Sequence, residues 1–479
     1  MVPLNANGKI VVVLTLVCVS VGTNFTLLNG PQFLLTCSKF ITSATDNQLI
    51  NIRSLPKCIP IDTDEDFAMM TMWFYAGGML GAVVADIVNF YHLLSLRWNL
   101  ILGQLLNIAG IGLLMGSTER WMVYLGRGIN GFGSGVQMSV IPVYLSLLIN
   151  DLQCVPTWLT AWFNYTLMPL GILLCQIITK PLLETFHWRD IFTLGVIMHT
   201  IMLYPIFHYI LESPKWYLVR GQPNTLVKKS LRQFIRNTTD DELILDEIID
   251  CWSVELEQQR SIVIQDSIGT KKRHFLYRYF HHWTQYFTAK NKRDEINRIW
   301  LIIPLQIINA QFINQYGVKI FNDILSDQGS MTLLIILSSV QVGASLLHLF
   351  NVRKTRGSDR RPLFLSPYVN VIIGLCFLVL YFSFKYKSKG TVVSISTLVL
   401  LTLTQTVMGM NKYFIASQDP THNHLTTQGN RLSRFCFLLG QIITSYTFPL
   451  LFDLMGPTIF IWLLIVLFSM NVVIKLYGI

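Results

Sequence analysis

Twelve separate stretches of about 20 mostly apolar residues run through this chain, and no other feature constrains its fold as much. An α-helix rises about 1.5 Å per residue, so about 20 apolar residues cross the roughly 30 Å hydrocarbon layer of a bilayer. The stretches lie near 9–31, 68–89, 98–116, 121–148, 156–180, 190–211, 299–324, 330–351, 363–384, 391–417, 432–453 and 455–478. In hydrocarbon each backbone N–H and C=O must be satisfied within the protein, which leaves helices for runs of this length. The expected class is an all-α, multi-pass membrane protein. The first run is too long and too polar inside for a cleaved secretory signal.

Composition agrees. Charged residues make up 13% of the chain, half the quarter typical of soluble domains. The net charge of +10 forms no soluble basic domain. It collects in short loops, which argues for a lipid bilayer rather than nucleic acid as partner. The eight cysteines show no C-x-x-C and no Cys/His cluster, so no metal or cofactor is expected. Cys18, Cys175, Cys376 and Cys436 fall in apolar runs and read as buried fillers. Cys37 and Cys58 flank the first polar loop, where a disulfide and two unpaired thiols are both open. His422 and His424 read as a solvated loop, and no nucleophile–base constellation suggests an enzyme.

Residues 212–298 interrupt the apolar pattern with mixed charge, including Lys228, Lys229, Arg232 and Arg236 followed by Asp240, Asp241 and Glu242. The chain thus divides into a six-helix half (1–211), a polar linker (212–298) and a second six-helix half (299–479). That is the layout of the major facilitator fold. Arg353, Lys354, Arg356, Arg360 and Arg361 form the strongest short basic loop, on the same side as the linker and both termini. That side is expected to be the cytosol. The aromatic and basic segment FLYRYFHHWTQYF (275–287) reads either as a helix on the cytosolic membrane surface or as a soluble packing helix.

The run GRGINGFGSGVQMSVIPVYLSLL begins at Gly126. No strand precedes it, which argues against a phosphate loop. Gly131 and Gly135 are four apart, as are Gly77 and Gly81. Small residues at that spacing let helix backbones approach closely in lipid.

These motifs form part of a longer series. GTNFTLLNGPQ starts at Gly22 and FYAGGMLGA at Phe74. Arg127, Gly131, Gly135, Pro142 and Tyr144 make a GR…G…G…P-x-Y element. ESPKWYL starts at Glu212, QYGVKIF at Gln315, RRPLFL at Arg360 and GPTIFIW at Gly456. In order and spacing the series resembles the sugar porter family of the major facilitator superfamily. The resemblance implies alternating access between two six-helix halves and a small polar solute, a hexose-like sugar, as substrate. Some elements depart from the family. The 2–3 loop reads NFYHLLSLRWN, with Arg97 as its only Lys or Arg. Leu147 stands where the family has a Glu after P-x-Y. The tenth run reads MGMNKYFIASQ, without proline, with Tyr413 at a Trp position and Gln418 at a Glu position. Those family charges latch the cytosolic helix ends together. Their loss favours a second reading: a non-transporting sensor or trafficking-related protein that keeps the fold.

A sugar site needs amides and hydroxyls as two-way hydrogen-bond partners, and an aromatic face. The resemblance places Gln306 on a family glutamine and Gln311 on the family's seventh-helix asparagine. It places Tyr165 where the family has a fifth-helix glutamine, and Leu305 on a second seventh-helix glutamine. Gln306, Asn309, Gln311, Asn314 and Gln315 fall within ten residues. They face either the substrate or other helices, since lipid would leave them unsatisfied. Tyr413 completes the candidate lining. Arg127 matches a family arginine, opposite which coupled members carry a first-helix Asp. Here that position is Asn24, so the resemblance implies uncoupled facilitation. The alternative for Arg127 is snorkelling to the interface. Lys412 has no family counterpart. An anionic substrate, Asp86 or a backbone carbonyl are its open partners. A plasma membrane and an internal, vacuolar membrane both fit.

Overall fold

The polar residues between the apolar runs set the helix ends. Ser95 is extended (φ −74°, ψ 161°) and its Oγ accepts from the Trp98 N–H at 3.3 Å, which caps the third helix. Gly456 takes φ +56°, a left-handed conformation natural to glycine, at the turn between the last two helices. The protein is described here from a computed structural model that covers residues 6–28, 64–152, 154–156, 158–159, 162–184, 188–234, 245–254, 257, 275–288, 296, 299–300, 303–304, 316, 327–354, 367–386, 395–402 and 427–477.

The first apolar runs become α1 (Ala6–Thr26), α2 (Asp64–Phe90), α3 (Leu96–Met115), α4 (Arg120–Ser146), α5 (Leu167–Glu184) and α6 (Trp188–Tyr209). Two short helices, α7 (Pro214–Val219) and α8 (Asn224–Phe234), follow, and α9 (Phe275–Thr288) lies later in the linker. Then come α10 (Asp327–Lys354), α11 (Pro367–Tyr386), α12 (Thr427–Met455) and α13 (Ile459–Tyr477). Among the described residues, seven stretches are long and apolar enough to cross a membrane, one of them (Arg431–Met470) running through most of α12 and into α13. The fifth run departs from expectation. The chain passes through π-turns at Leu147–Asp151 and Trp162–Thr166 before α5 begins. Pro142 and Pro156, which lack an amide N–H, lie close to this irregular stretch.

In lipid, helices gain little from apolar burial against one another, so van der Waals fit must hold them. The glycines supply that fit. A methyl group at Gly77 or Gly81 would overlap the carbonyls of Gly128 and Phe132, and one at Gly131 or Gly135 would overlap those of Phe74 and Gly78. The α2 and α4 backbones therefore touch between Phe74–Gly81 and Gly128–Gly135. Gly22 and Gly171 do the same for α1 and α5. Around this contact α3 packs on α4 and α6, α12 packs on α2, and α10 packs on α5.

The linker end of the bundle is tied by polar contacts. The Tyr144 hydroxyl donates to the Leu211 carbonyl at 2.7 Å, and Asn7 Nδ2 donates to the Phe234 carbonyl at 2.8 Å. Arg220 closes α7 over Trp216 and donates through Nη2 to the carbonyls of His92 and Leu93, both at 2.8 Å. The arginine that clasps the 2–3 loop thus comes from beyond α6, not from the loop itself. His92 sits there at φ 49°. Burial first, then the charges of Arg220, Arg431 and Lys215, lower its pKa from the ordinary 6.5.

Two predictions follow from this packing. Gly131→Ala should destabilise the purified protein by about 1–3 kcal/mol. Gly112→Ala has nothing within 4 Å of the added methyl and should be neutral or slightly stabilising. Thermal melts in detergent would compare the two. The second concerns His92, which accepts a proton less readily in the folded loop than in the unfolded chain. The loop keeps its stability above pH 6.5 and loses it as the pH falls below that value. Limited proteolysis of residues 89–95 should rise in that window, and His92→Asn, which tolerates the same backbone, should remove the rise.

Candidate functional site

The amides and hydroxyls that break the apolar pattern of α1, α3, α4 and α6 meet in one buried chain. Gln104 and Asn107 are three apart on α3, and Asn130, Ser134 and Gln137 four and three apart on α4, so each set shares a helix face. All five are no more than 1% exposed, as are Asn24 and His199. Asn24 Nδ2 donates to Ser134 Oγ at 3.0 Å, and Ser134 Oγ donates to Asn107 Oδ1 at 3.2 Å. Asn130 Nδ2 also donates to Asn107 Oδ1, at 3.3 Å. Asn107 Nδ2 donates to Gln137 Oε1 at 3.0 Å, and Gln137 Nε2 donates to Gln104 Oε1 at 2.6 Å.

His199 closes the chain. Gln104 Nε2 donates to the His199 backbone carbonyl at 2.9 Å and lies 3.0 Å from His199 Nδ1. An amide nitrogen only donates, so Nδ1 must accept and the ring proton belongs on Nε2. That Nε2 lies 3.1 Å from Asn24 Oδ1, the oxygen free to accept it. The contacts fit a neutral imidazole. Protonating Nδ1 would set two donors against each other, and the His199 carbonyl opposes the amide flip that would relieve them.

Arg127 adjoins the chain. Its Nη1 donates to the Asn24 carbonyl at 3.0 Å, and its guanidinium lies 4.3 Å from the centre of the Phe74 ring. It is 1% exposed. The side chain therefore does not snorkel: the Asn24 carbonyl and an aromatic face hold it inside the bundle. Among the described residues no carboxylate pairs with it.

A second polar cluster joins α2 and α4 to α12 near the linker end. Ser139 Oγ donates to Asp86 Oδ1 at 2.8 Å, and Arg434 Nη1 donates to the Ser139 carbonyl at 2.8 Å and to its Oγ at 2.9 Å. Arg431 Nε lies 3.7 Å from the same Asp86 oxygen. The cluster uses Asp86 and the arginines of α12 rather than the family charges missing from the 2–3 loop. Elsewhere Ser338 Oγ of α10 donates to Gln176 Oε1 of α5 at 2.7 Å, and the Tyr316 hydroxyl donates to the Ser445 carbonyl at 2.5 Å.

Of the candidate residues, Asn24 and Arg127 come together. Gln306, Gln311, Asn314, Tyr413 and Lys412 lie outside the described residues, as do Cys37, Cys58, His422 and His424. Tyr165 stands on the Trp162–Thr166 π-turn, with its side chain outside the description. Asp86 meets Ser139 and Arg431. Sequence reasoning did not single out His199, Gln104 or Gln137. The available signal was the spacing of amides along single faces of α3 and α4.

Three comparisons bear on this arrangement. The profile of the family described as "Sugar (and other) transporter" matches residues 10–477. "Vacuolar protein sorting-associated protein 73" of Saccharomyces cerevisiae is 24% identical over 96% of this chain and 91% of its own. "Glucose transporter GlcP" of Staphylococcus epidermidis is 24% identical over 72% of this chain and 70% of its own. The xylose transporter XylE from E. coli, in a partially occluded inward-open conformation, superposes with a TM-score of 0.67 at 15% identity, covering 98% of each chain. That likeness gives the chain the major facilitator fold, and the profile, matched over nearly its whole length, makes it a member of the Sugar (and other) transporter family.

Proposed function

We propose that the protein carries a hexose-like sugar down its gradient by alternating access. Residues 1–211 and 299–479 act as the two moving halves, joined by a cytosolic linker at 212–298, with both termini cytosolic. The seventh-run glutamines Gln306 and Gln311, with Asn314, Tyr165 and Tyr413, line the sugar path. The substrate class rests on the family match and on relatives named as glucose and sugar transporters. The vacuolar name of the yeast relative favours an internal membrane.

One observation carries the uncoupled mechanism. The first-helix position that would need a titrating carboxylate holds Asn24, whose amide is engaged by Ser134 and His199. Arg127 stays protonated at any cellular pH. His199, the titratable ring beside Asn24, has its Nδ1 occupied by the Gln104 donor. No group in this cluster is set to pick up and release a proton as access switches. The second reading, a fold kept for a sensor or sorting role without transport, draws on the yeast relative's name and on the altered positions Leu147, Tyr413 and Gln418.

Uptake into liposomes tests both readings. The carrier should show saturable hexose entry that equilibrates without accumulation and ignores a protonophore. Accumulation above the outside concentration would overturn the uncoupled mechanism. A folded preparation with no uptake of any hexose would favour the sorting reading. Gln306→Leu and Gln311→Leu should each weaken transport by up to about tenfold, the worth of a hydrogen bond to a neutral hydroxyl. His199→Gln should leave the pH profile of uptake unchanged. His199→Ala should lower thermal stability by about 1–3 kcal/mol, because Asn24 Oδ1 loses its donor.

A further inference from the structure

One segment outside the polar interior combines features that transport does not use. Residues 271–293, KKRHFLYRYFHHWTQYFTAKNKR, hold seven Lys or Arg and no Asp or Glu. Within this segment, α9 carries aromatic rings on two adjoining stripes. Tyr279 and Tyr286, seven apart and so on one face, are buried. Phe280 and Phe287, one position round the helix, are 60% and 45% exposed. Trp283 bridges the stripes, stacked on Phe287 at 5.9 Å and edge-on to Tyr286 at 5.9 Å.

A ring contact fixes the depth of α9. Tyr279 packs edge-on against Phe90 at 5.7 Å, and Phe90 is the last residue of α2. The end of an apolar span is where hydrocarbon gives way to headgroups. At the same end Leu93, Trp98 and Phe207 are exposed, and Trp98 meets Phe207 edge-on at 6.1 Å. Exposed aromatics at a span end mark the membrane boundary. The exposed stripe of α9 therefore lies at the level of a lipid surface, between basic flanks.

We propose that α9 is an in-plane anchor that lays Phe280 and Phe287 into the boundary of an anionic phospholipid leaflet. In sequence α9 stands between Lys271, Lys272 and Arg273 before it and Lys290, Lys292 and Arg293 after it, charges of the sign that anionic headgroups attract. Buried apolar rings and basic flanks are the two attractions that hold such helices to anionic membranes.

The test uses the full-length protein in nanodiscs of phosphatidylcholine, with or without phosphatidylserine. Amide hydrogen exchange of residues 275–288 should slow roughly tenfold when phosphatidylserine is present. The effect should vanish in 1 M salt, where the Debye length falls to about 3 Å. It should also vanish in a Phe280→Ser/Phe287→Ser variant whose thermal melt matches the parent. Equal exchange in the two lipids, or a lipid effect that survives in the double variant, would overturn the proposal and leave α9 held by protein contacts alone.

Discussion

The structure depends most on one requirement: polar groups inside a bilayer must find their partners within the protein. The first six helices meet it with a continuous chain from Asn24 through Ser134, Asn107, Gln137 and Gln104 to His199 and back to Asn24. Each member is shared between helices, so α1, α3, α4 and α6 cannot shift separately without leaving a buried donor or acceptor alone. Leaving one alone costs about 1–3 kcal/mol. The glycine contacts of α2 with α4 and of α1 with α5 add backbone proximity to the same body. Together these features make the first half a stiff unit.

Contacts between the first six helices and the later ones add apolar packing, such as Phe67 edge-on to Tyr316 at 5.7 Å and Phe74 and Tyr75 clustered with Phe437 and Leu438, to discrete polar links: Asp86 with Arg431, Ser139 with Arg434, Gln176 with Ser338. Each can break while the interior chain of the first half stays intact. The Asp86 cluster lies near the linker end and involves α12, so it bears on opening at that end. Arg434 donates to the backbone carbonyl of Ser139 as well as to its hydroxyl.

The charge pattern of the site bears on coupling. Arg127 is buried without a carboxylate among the described residues and instead faces a carbonyl and the Phe74 ring. Aromatic faces and carbonyl dipoles offset part of the cost of a buried guanidinium. The arginine is thereby held with Asn24, not a carboxylate, as its α1 neighbour. His199 fills the space beside it as a neutral hydrogen-bonding ring, completing the amide chain.

The sequence by itself determined the class of fold. Lipid demands long apolar runs and helices, so the all-α membrane class and the family motifs were legible in local composition. The glycine spacing on α2 and α4 pointed to the close approach that the structure shows there, because small residues four apart allow helix backbones to meet in lipid. Cys175, Cys376 and Cys436 are buried, as their apolar surroundings implied, whereas Cys18, expected to be buried with them, is only half-buried. Tertiary structure alone decided which polar residues meet. Gln104 and His199 stand 95 positions apart, Asn24 and His199 175 apart, and Ser139 and Arg434 295 apart. No local pattern encodes such pairings, because each helix face reads only as polar until a partner helix is set against it. The same holds for Arg127. Snorkelling and burial give the same sequence signature near a helix end, and the neighbouring α1 and α2, which supply the Asn24 carbonyl and the Phe74 ring, decide between them.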